Sequence, residues 1–294
     1  MRWLCCLAAV LLVLTLPGCG KSPTGPGPDL GGGGPKGPTL RQFPDLTYTT
    51  VPRPIRLNLF LPALSTPAPL VIYIHGSGDS GSKDDYYWNS TAISLRENGF
   101  AVAVIDYRLV NEVKWPAQLF DSKAAIRWLR ANASKYDLDP NRIAVWGDSF
   151  GGMVAAMLGL TDGIPALEDL SQGNETQSSR VQAVVDWYGP TNIMTAGMDD
   201  GFEEVLGCRP PACPRVAIEA SPVTYVRAGA PPFLIMHGAA DQLVPVSQSE
   251  DLAARLKAAG VPVDLSVIAD LGHGTPKWAA QIVSVRSWLM TVLK

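Results

Sequence analysis

The sequence predicts an α/β fold: a mostly parallel, twisted sheet covered by helices on both faces. Three observations carry this. Short apolar runs alternate along the chain with longer segments of helical character. The apolar runs are near-continuous rather than alternating, the pattern of strands buried on both faces. And the pentapeptide Gly147-Asp148-Ser149-Phe150-Gly151 stands between one such strand and one such helix.

The elements follow in order. Thr47 to Pro62 holds two strand-like pieces, read as an opening antiparallel hairpin. Leu70-Val71-Ile72-Tyr73-Ile74 is a strand rich in the branched and aromatic residues that suit a pleated surface. A helix is expected near Tyr87–Asn98, a strand at Phe100–Asp106, a helix at Pro116–Lys135 and a strand at Arg142–Trp146. The apolar stretch Ser149–Leu160 reads as a helix. Val181–Trp187 and Phe233–His237 are strands, Val246–Ala259 a helix, Val263–Ile268 a strand and Thr275–Leu293 a closing helix. No internal repeat is visible. In such a sheet, ligands bind beyond the carboxyl ends of the strands.

The pentapeptide has the G-x-S-x-G form of a nucleophile elbow. A turn that sharp leaves no room for flanking side chains, so glycines stand two residues to either side of Ser149. The turn lifts the hydroxyl clear of the backbone, and the next helix points its positive end at the reacting centre. A serine hydroxyl still needs a base, and the base an orienting acid. The chain has 3 histidines. His75 directly follows a strand, and His237 ends one and enters a turn. Only His273 lies in a glycine-flanked loop after the last strand, so His273 is the expected base. Asp241, after the strand that ends at His237, is the expected acid, with Asp270 the rival three residues before His273. The order Ser149, Asp241, His273 is that of the α/β-hydrolases. Taken singly, Ser149 could be a helix N-cap, Asp241 a cap for the following helix and His273 a solvent-loop residue.

Acyl transfer also needs fixed N–H donors for the developing oxyanion. One is expected from Phe150, the others from Ser77 and Gly78 in His75-Gly76-Ser77-Gly78, which occupies the place of an HGGG-type loop. The alternative is a plain tight turn after a strand. His75 and Trp88, the latter within Tyr86-Tyr87-Trp88, are candidates for lining an acyl or sugar pocket, with packing at a helix start as the alternative for Trp88.

At this point the chain resembles the α/β-hydrolase esterases, and more closely the bifunctional acetylxylan/feruloyl esterase-like family, over roughly residues 47–294. The carriers are His75-Gly76-Ser77-Gly78, Asp106-Tyr107-Arg108-Leu109, Trp115-Pro116-Ala117-Gln118, Trp146-Gly147-Asp148-Ser149-Phe150-Gly151-Gly152, Asp186-Trp187-Tyr188-Gly189-Pro190, the stretch from Ala220-Ser221-Pro222 to Pro245, and Gly272-His273-Gly274. The family usually has alanine where Phe150 stands and glycine where Ser77 stands. The resemblance implies carboxylester hydrolysis without metal or organic cofactor, with acylated plant polysaccharide as one substrate class. A prolyl-oligopeptidase-like peptidase and a non-catalytic binding lipoprotein with a vestigial hydrolase fold are the alternatives.

The ends and the composition bound the rest. With 294 residues, 47% hydrophobic, the chain can build one sizeable α/β domain, expected at 41–294. A net charge of −3 without a basic stripe leaves no nucleic-acid footprint. Arg2 followed by the apolar run Trp3–Leu16 reads as an export signal over 1–18, ending in a lipoprotein-like Leu16-Pro17-Gly18-Cys19 that would place lipid on Cys19. An ordinary secretory signal and an uncleaved anchor are the alternatives. Residues 19–40, dominated by glycine and proline, read as a disordered tether. After export, Cys208 and Cys213 would pair, and two cysteines without a nearby histidine make a poor metal site.

Overall fold

The structure, a computed structural model, describes residues 40–85, 94–274 and 276–294. Its eight strands are β1 (Arg41–Thr49), β2 (Ile55–Leu61), β3 (Ala68–Ile74), β4 (Ala101–Ile105), β5 (Leu138–Asp148), β6 (Ala183–Trp187), β7 (Phe233–Gly238) and β8 (Val263–Ile268). They form one sheet in the order β1-β2-β4-β3-β5-β6-β7-β8. The β1–β2 and β2–β4 pairs are antiparallel and all later pairs parallel. The helices are α1 (Ala117–Ala131), α2 (Phe150–Leu160), α3 (Asp199–Leu206), α4 (Pro214–Glu219), α5 (Ser247–Ala258) and α6 (Ile282–Val292).

The period-2 pleat explains why the strands are apolar throughout. Along β3, Leu70, Ile72 and Ile74 enter one core together with Ile126 of α1, Val154 of α2 and Leu252 of α5. Val71 and Tyr73 enter a second core on the opposite face, with Trp146, Trp187 and the α6 residues Val285 and Leu289. Helix α2 is apolar all round because it is buried all round. It follows β5, the strand between β3 and β6 near the middle of the sheet, so the turn joining them sits centrally on the carboxyl edge.

Three elements differ from the sequence expectation, the first being β1, which begins at Arg41 rather than within Thr47–Pro62 because Arg41 to Phe43 pair with Leu59 to Leu61 of β2. The strand expected at Arg142–Trp146 runs from Leu138 to Asp148. Asp139-Pro140-Asn141 has loop composition, but Leu138 pairs with Ala68 across a register irregularity and draws the segment into the sheet. The closing helix is in two parts, a 3₁₀ stretch Pro276–Gln281 followed by α6. Of the helix expected near Tyr87–Asn98, residues 94–97 are helical and residues 86–93 lie outside the described residues. Between β6 and β7 the chain makes a long excursion carrying α3 and α4, and there Cys208 and Cys213 are joined with their Cα atoms 6.3 Å apart.

Candidate active site

Ser149 sits in the turn between β5 and α2 with φ 52° and ψ −122°, a conformation that a non-glycine residue adopts only when its surroundings impose it. The imposition is visible in the flanking glycines. A Cβ on Gly147 would stand 2.0 Å from the carbonyl oxygen of Gly151, and one on Gly151 would stand 2.1 Å from that of Ile74. Ser149 makes no side-chain cap to its helix. Its Oγ lies 2.8 Å from Nε2 of His273 instead.

Nδ1 of His273 lies 2.8 Å from Oδ2 of Asp241. Asp241 follows β7 and His273 follows β8, so all three side chains meet at the carboxyl edge from three separate strands. The loops that carry them are stitched together, with Ala239 N–H donating to Ile268 O and Ala240 N–H to Leu271 O, each at 2.9 Å. The other oxygen of Asp241 accepts from the N–H groups of Leu243 and Val244, both at 2.9 Å. Burial pushes the Asp241 carboxyl up, but hydrogen bonds from His237, His273, Val244 and Leu243 outweigh it and hold the group well below the usual carboxylate range. The rival acid, Asp270, is exposed on the surface.

The sequence reading gives no catalytic role to two neighbours of this array, His237, which it places at a strand end, and Tyr188, which it places in a family motif. His237 is fully buried, its Nε2 3.4 Å from Asp241 Oδ2 and 3.0 Å from Val244 O, its Nδ1 2.7 Å from Ser249 Oγ. It braces the acid from below. The available signal was its spacing, four residues before Asp241 at a strand end. Tyr188, with φ 44°, sets the edge of its ring against His273, centroids 4.7 Å apart.

The loop after β3 completes the site. Ser77 has φ 49°, and its carbonyl accepts from Ser80 and Gly81 N–H, closing a tight turn. Ser77 and Gly78 border a cavity of about 320 Å³ together with Ser149, Phe150 and His273. Its far wall is apolar and comes from the β6–β7 excursion, with Met198, Phe202 and Val205. The N–H of Phe150 belongs to the first turn of α2, where amide groups lack partners within the helix. The arrangement therefore offers Ser77, Gly78 and Phe150 around the volume that adjoins the Ser149 hydroxyl.

His75 does not line this cavity, contrary to expectation. Its ring is 1% exposed and stacks on Tyr107 with centroids 4.3 Å apart. It lines a separate, smaller cavity with Gly76, Ser80, Asp85 and Asp148. Burial pushes its pKa down, which favours the neutral ring. Trp88 lies outside the described residues, as do the expected export signal, Cys19 and the tether up to residue 39. A larger cavity of about 710 Å³ opens at the opposite, amino ends of β5, β6 and β7, lined by Pro140, Gln182 and Pro232. One of the charges lining it, that of Arg130, is occupied by the carbonyls of Pro140, Ser178 and Arg180.

The remaining motif residues hold this frame. Tyr107 donates to the carbonyl of His75 at 2.8 Å. Arg108 grips Asp121 of α1 through Nε and Nη2, and Gln118, fully buried, donates to the carbonyls of Arg108 and Val113.

Comparison with known proteins gives a consistent set. Residues 57–256 match the BD-FAE family. Esterase LipC of Mycobacterium tuberculosis is 33% identical over 214 residues, 71% of this chain and 53% of LipC. An ethyl acetate hydrolase from Pseudomonas putida is 27% identical, covering 85% of this chain and 80% of that enzyme. The chain spans about half the length of the first curated relatives it matches, 53% and 46%. Among solved structures, a truncated carbohydrate esterase from gut microbiota superposes with a TM-score of 0.78 at 28% identity, covering 88% of this chain and 98% of that one. An acetyl ester-xyloside bifunctional hydrolase from Caldicellulosiruptor lactoaceticus gives a TM-score of 0.71 at 26% identity, over 82% of this chain and 89% of that one.

Proposed function

Because this chain belongs to the BD-FAE family and has the α/β-hydrolase fold, we propose that it is a serine carboxylesterase working through an acyl-enzyme. The observation that carries the reading is the chain of contacts from Ser149 through His273 to Asp241, two links of 2.8 Å each at the carboxyl edge of the sheet. Ser149 Oγ attacks the ester carbonyl carbon while its proton passes to His273 Nε2. Asp241 holds Nδ1–H and so keeps Nε2 available as the acceptor. The tetrahedral oxyanion is met by the N–H groups of Ser77, Gly78 and Phe150. Collapse expels the alcohol, which takes the proton from His273, and leaves the acyl group on Ser149. Water, deprotonated by His273, attacks the acyl carbon, and the carboxylic acid leaves as the proton returns to Ser149.

For substrate, we propose acetyl or feruloyl esters of plant polysaccharide. The support is the likeness to the carbohydrate esterase and the acetyl ester-xyloside hydrolase, and an apolar cavity of about 320 Å³ that accepts an acyl group. Hydrolysis of acetylated xylan, methyl ferulate and a graded series of p-nitrophenyl esters tests it. No turnover of any of them overturns the esterase reading; turnover of the p-nitrophenyl esters alone removes the polysaccharide. Phe150 is packed against Gly78 on one side of the cavity. Phe150→Ala is therefore expected to raise the kcat/KM ratio of hexanoate over acetate by roughly tenfold, the scale of a few kcal/mol or less per pocket contact. An unchanged ratio places the acyl chain elsewhere.

Export rests on Leu16-Pro17-Gly18-Cys19 and the glycine-proline stretch behind it. We propose a mature chain beginning at a lipidated Cys19, a cell-envelope lipoprotein whose only membrane contact is that anchor. More than one acyl chain gives stable anchoring at about 0.8 kcal/mol per buried CH₂. Mass spectrometry of the mature N-terminus is expected to find acylated Cys19; an unmodified terminus downstream indicates a secreted enzyme, and an intact Met1 an uncleaved anchor.

A further inference from the structure

We infer that Asp148, the residue before the nucleophile, is a positioning residue that sets the oxyanion loop by accepting the hydrogen bond of Gly76. The inference rests on the serine-esterase reading and deepens it. Asp148 ends β5, and its carboxylate is buried beneath the His75–Gly78 loop. Oδ1 accepts from Gly76 N–H at 2.8 Å and from the hydroxyl of Tyr73. Oδ2 lies 3.4 Å from the hydroxyl of Tyr188. One carboxylate thus links β3, the elbow, the segment after β6 and the loop that carries two of the three expected donors.

The position of the accepted proton matters most. Gly76 N–H points down to Asp148, and the next two amides, those of Ser77 and Gly78, belong to residues that line the cavity beside Ser149. With Ser77 held at φ 49° and its carbonyl bound by the N–H groups of Ser80 and Gly81, an anchor on the Gly76 amide leaves few backbone arrangements for the two amides that follow. Since Asp148 and Ser149 are consecutive, loop and nucleophile are referenced to the same stretch of backbone. The two sides are in close contact: a Cβ on Gly76 would stand 2.8 Å from Asp148 Oδ2 and 3.0 Å from its carbonyl oxygen. Burial raises the Asp148 carboxyl to about 6 even against the hydrogen bonds of Tyr73 and Gly76 and the charge of His273. Keeping a carboxylate in such a place is costly for the folded protein, which fits a role in arranging the donors.

The role needs an acceptor at Oδ1 rather than a charge, and that separates the variants. Asp148→Asn keeps an oxygen for Gly76 and Tyr73, and its kcat on p-nitrophenyl acetate is expected within about fivefold of the parent. Asp148→Ala removes it, and kcat is expected to fall about 10²-fold with KM within about threefold, the scale of a displaced oxyanion donor. Inhibition by an aryl trifluoromethyl ketone, which forms a tetrahedral oxyanion on Ser149, is expected to weaken by the same factor in Asp148→Ala and to be kept in Asp148→Asn. If Asp148→Ala does not fold, Gly76→Ala probes the same contact from the loop side, and a fall in kcat of about tenfold at near-constant KM is expected. Unchanged kcat in folded Asp148→Ala or in Gly76→Ala overturns the inference, as does a folded Asp148→Asn as impaired as the alanine variant. If these variants behave like the parent while Ser149→Ala is inactive, the inference fails and the esterase reading stands; an active Ser149→Ala removes both.

Discussion

Ser149→Ala is expected to lower kcat on p-nitrophenyl acetate by roughly 10⁴- to 10⁶-fold, since members of a triad act as a unit. The residual activity is what donors and binding supply without a nucleophile. A second hydroxyl, that of Ser77, also borders the cavity, so replacement of the nucleophile by a neighbour is a real question. The geometry answers it: the Ser149 hydroxyl is the one within 2.8 Å of His273 Nε2, whereas Ser77 belongs to the donor loop. The fold is expected to survive, because alanine at this turn carries the same backbone strain as serine and the flanking glycines are untouched. Thermal unfolding and circular dichroism check this. Near-normal turnover in a folded Ser149→Ala sinks the elbow assignment.

Asp241→Asn is expected to cost about 10⁴-fold in kcat, the scale seen when an asparagine holds the catalytic imidazole in the wrong tautomer. Asp241 Oδ1 already accepts two backbone N–H groups. An asparagine there therefore keeps its oxygen on that side and turns its NH₂ towards His273 Nδ1. Nδ1 must then be the acceptor, Nε2 carries the proton, and the base cannot take one from Ser149. Asp270→Asn, on the surface, is expected to stay within about threefold of the parent. If Asp270→Asn is the more damaging of the two in steady-state kinetics, the acid has been misassigned.

Much of this site is legible in the sequence because its chemistry is local. The elbow needs glycines two residues either side of Ser149, and Gly147 and Gly151 are there to be read. The proposed base and acid each follow a strand, and an apolar run ending in a glycine-containing turn marks both. The parallel sheet is legible for a similar reason: β3 is apolar on both faces because two cores compete for its alternate residues. What stays hidden is whatever depends on tertiary approach. Nothing near Asp148 in the chain announces that its carboxylate meets an amide 72 residues away. His237 reads as a strand end until β7 and α5 pack and place it between Asp241 and Ser249. His75 fails in the other direction: proximity to the donor loop suggests a pocket residue, but its ring turns inward and stacks on Tyr107. The particular residues of the apolar wall, Met198, Phe202 and Val205, stay hidden as well, because an excursion of mixed composition gives no period that singles them out.

Ser149 Oγ is the atom expected to become acylated. Treatment with an organophosphate such as diethyl p-nitrophenyl phosphate, followed by intact-mass and peptide mass spectrometry, tests it without assuming a substrate. One diethylphosphoryl group per chain is expected, located on the peptide that contains Ser149, with loss of esterase activity in proportion to its occupancy and no adduct in Ser149→Ala. A stoichiometric adduct on Ser77 or any other residue, or full inactivation with Ser149 unmodified, contradicts the account.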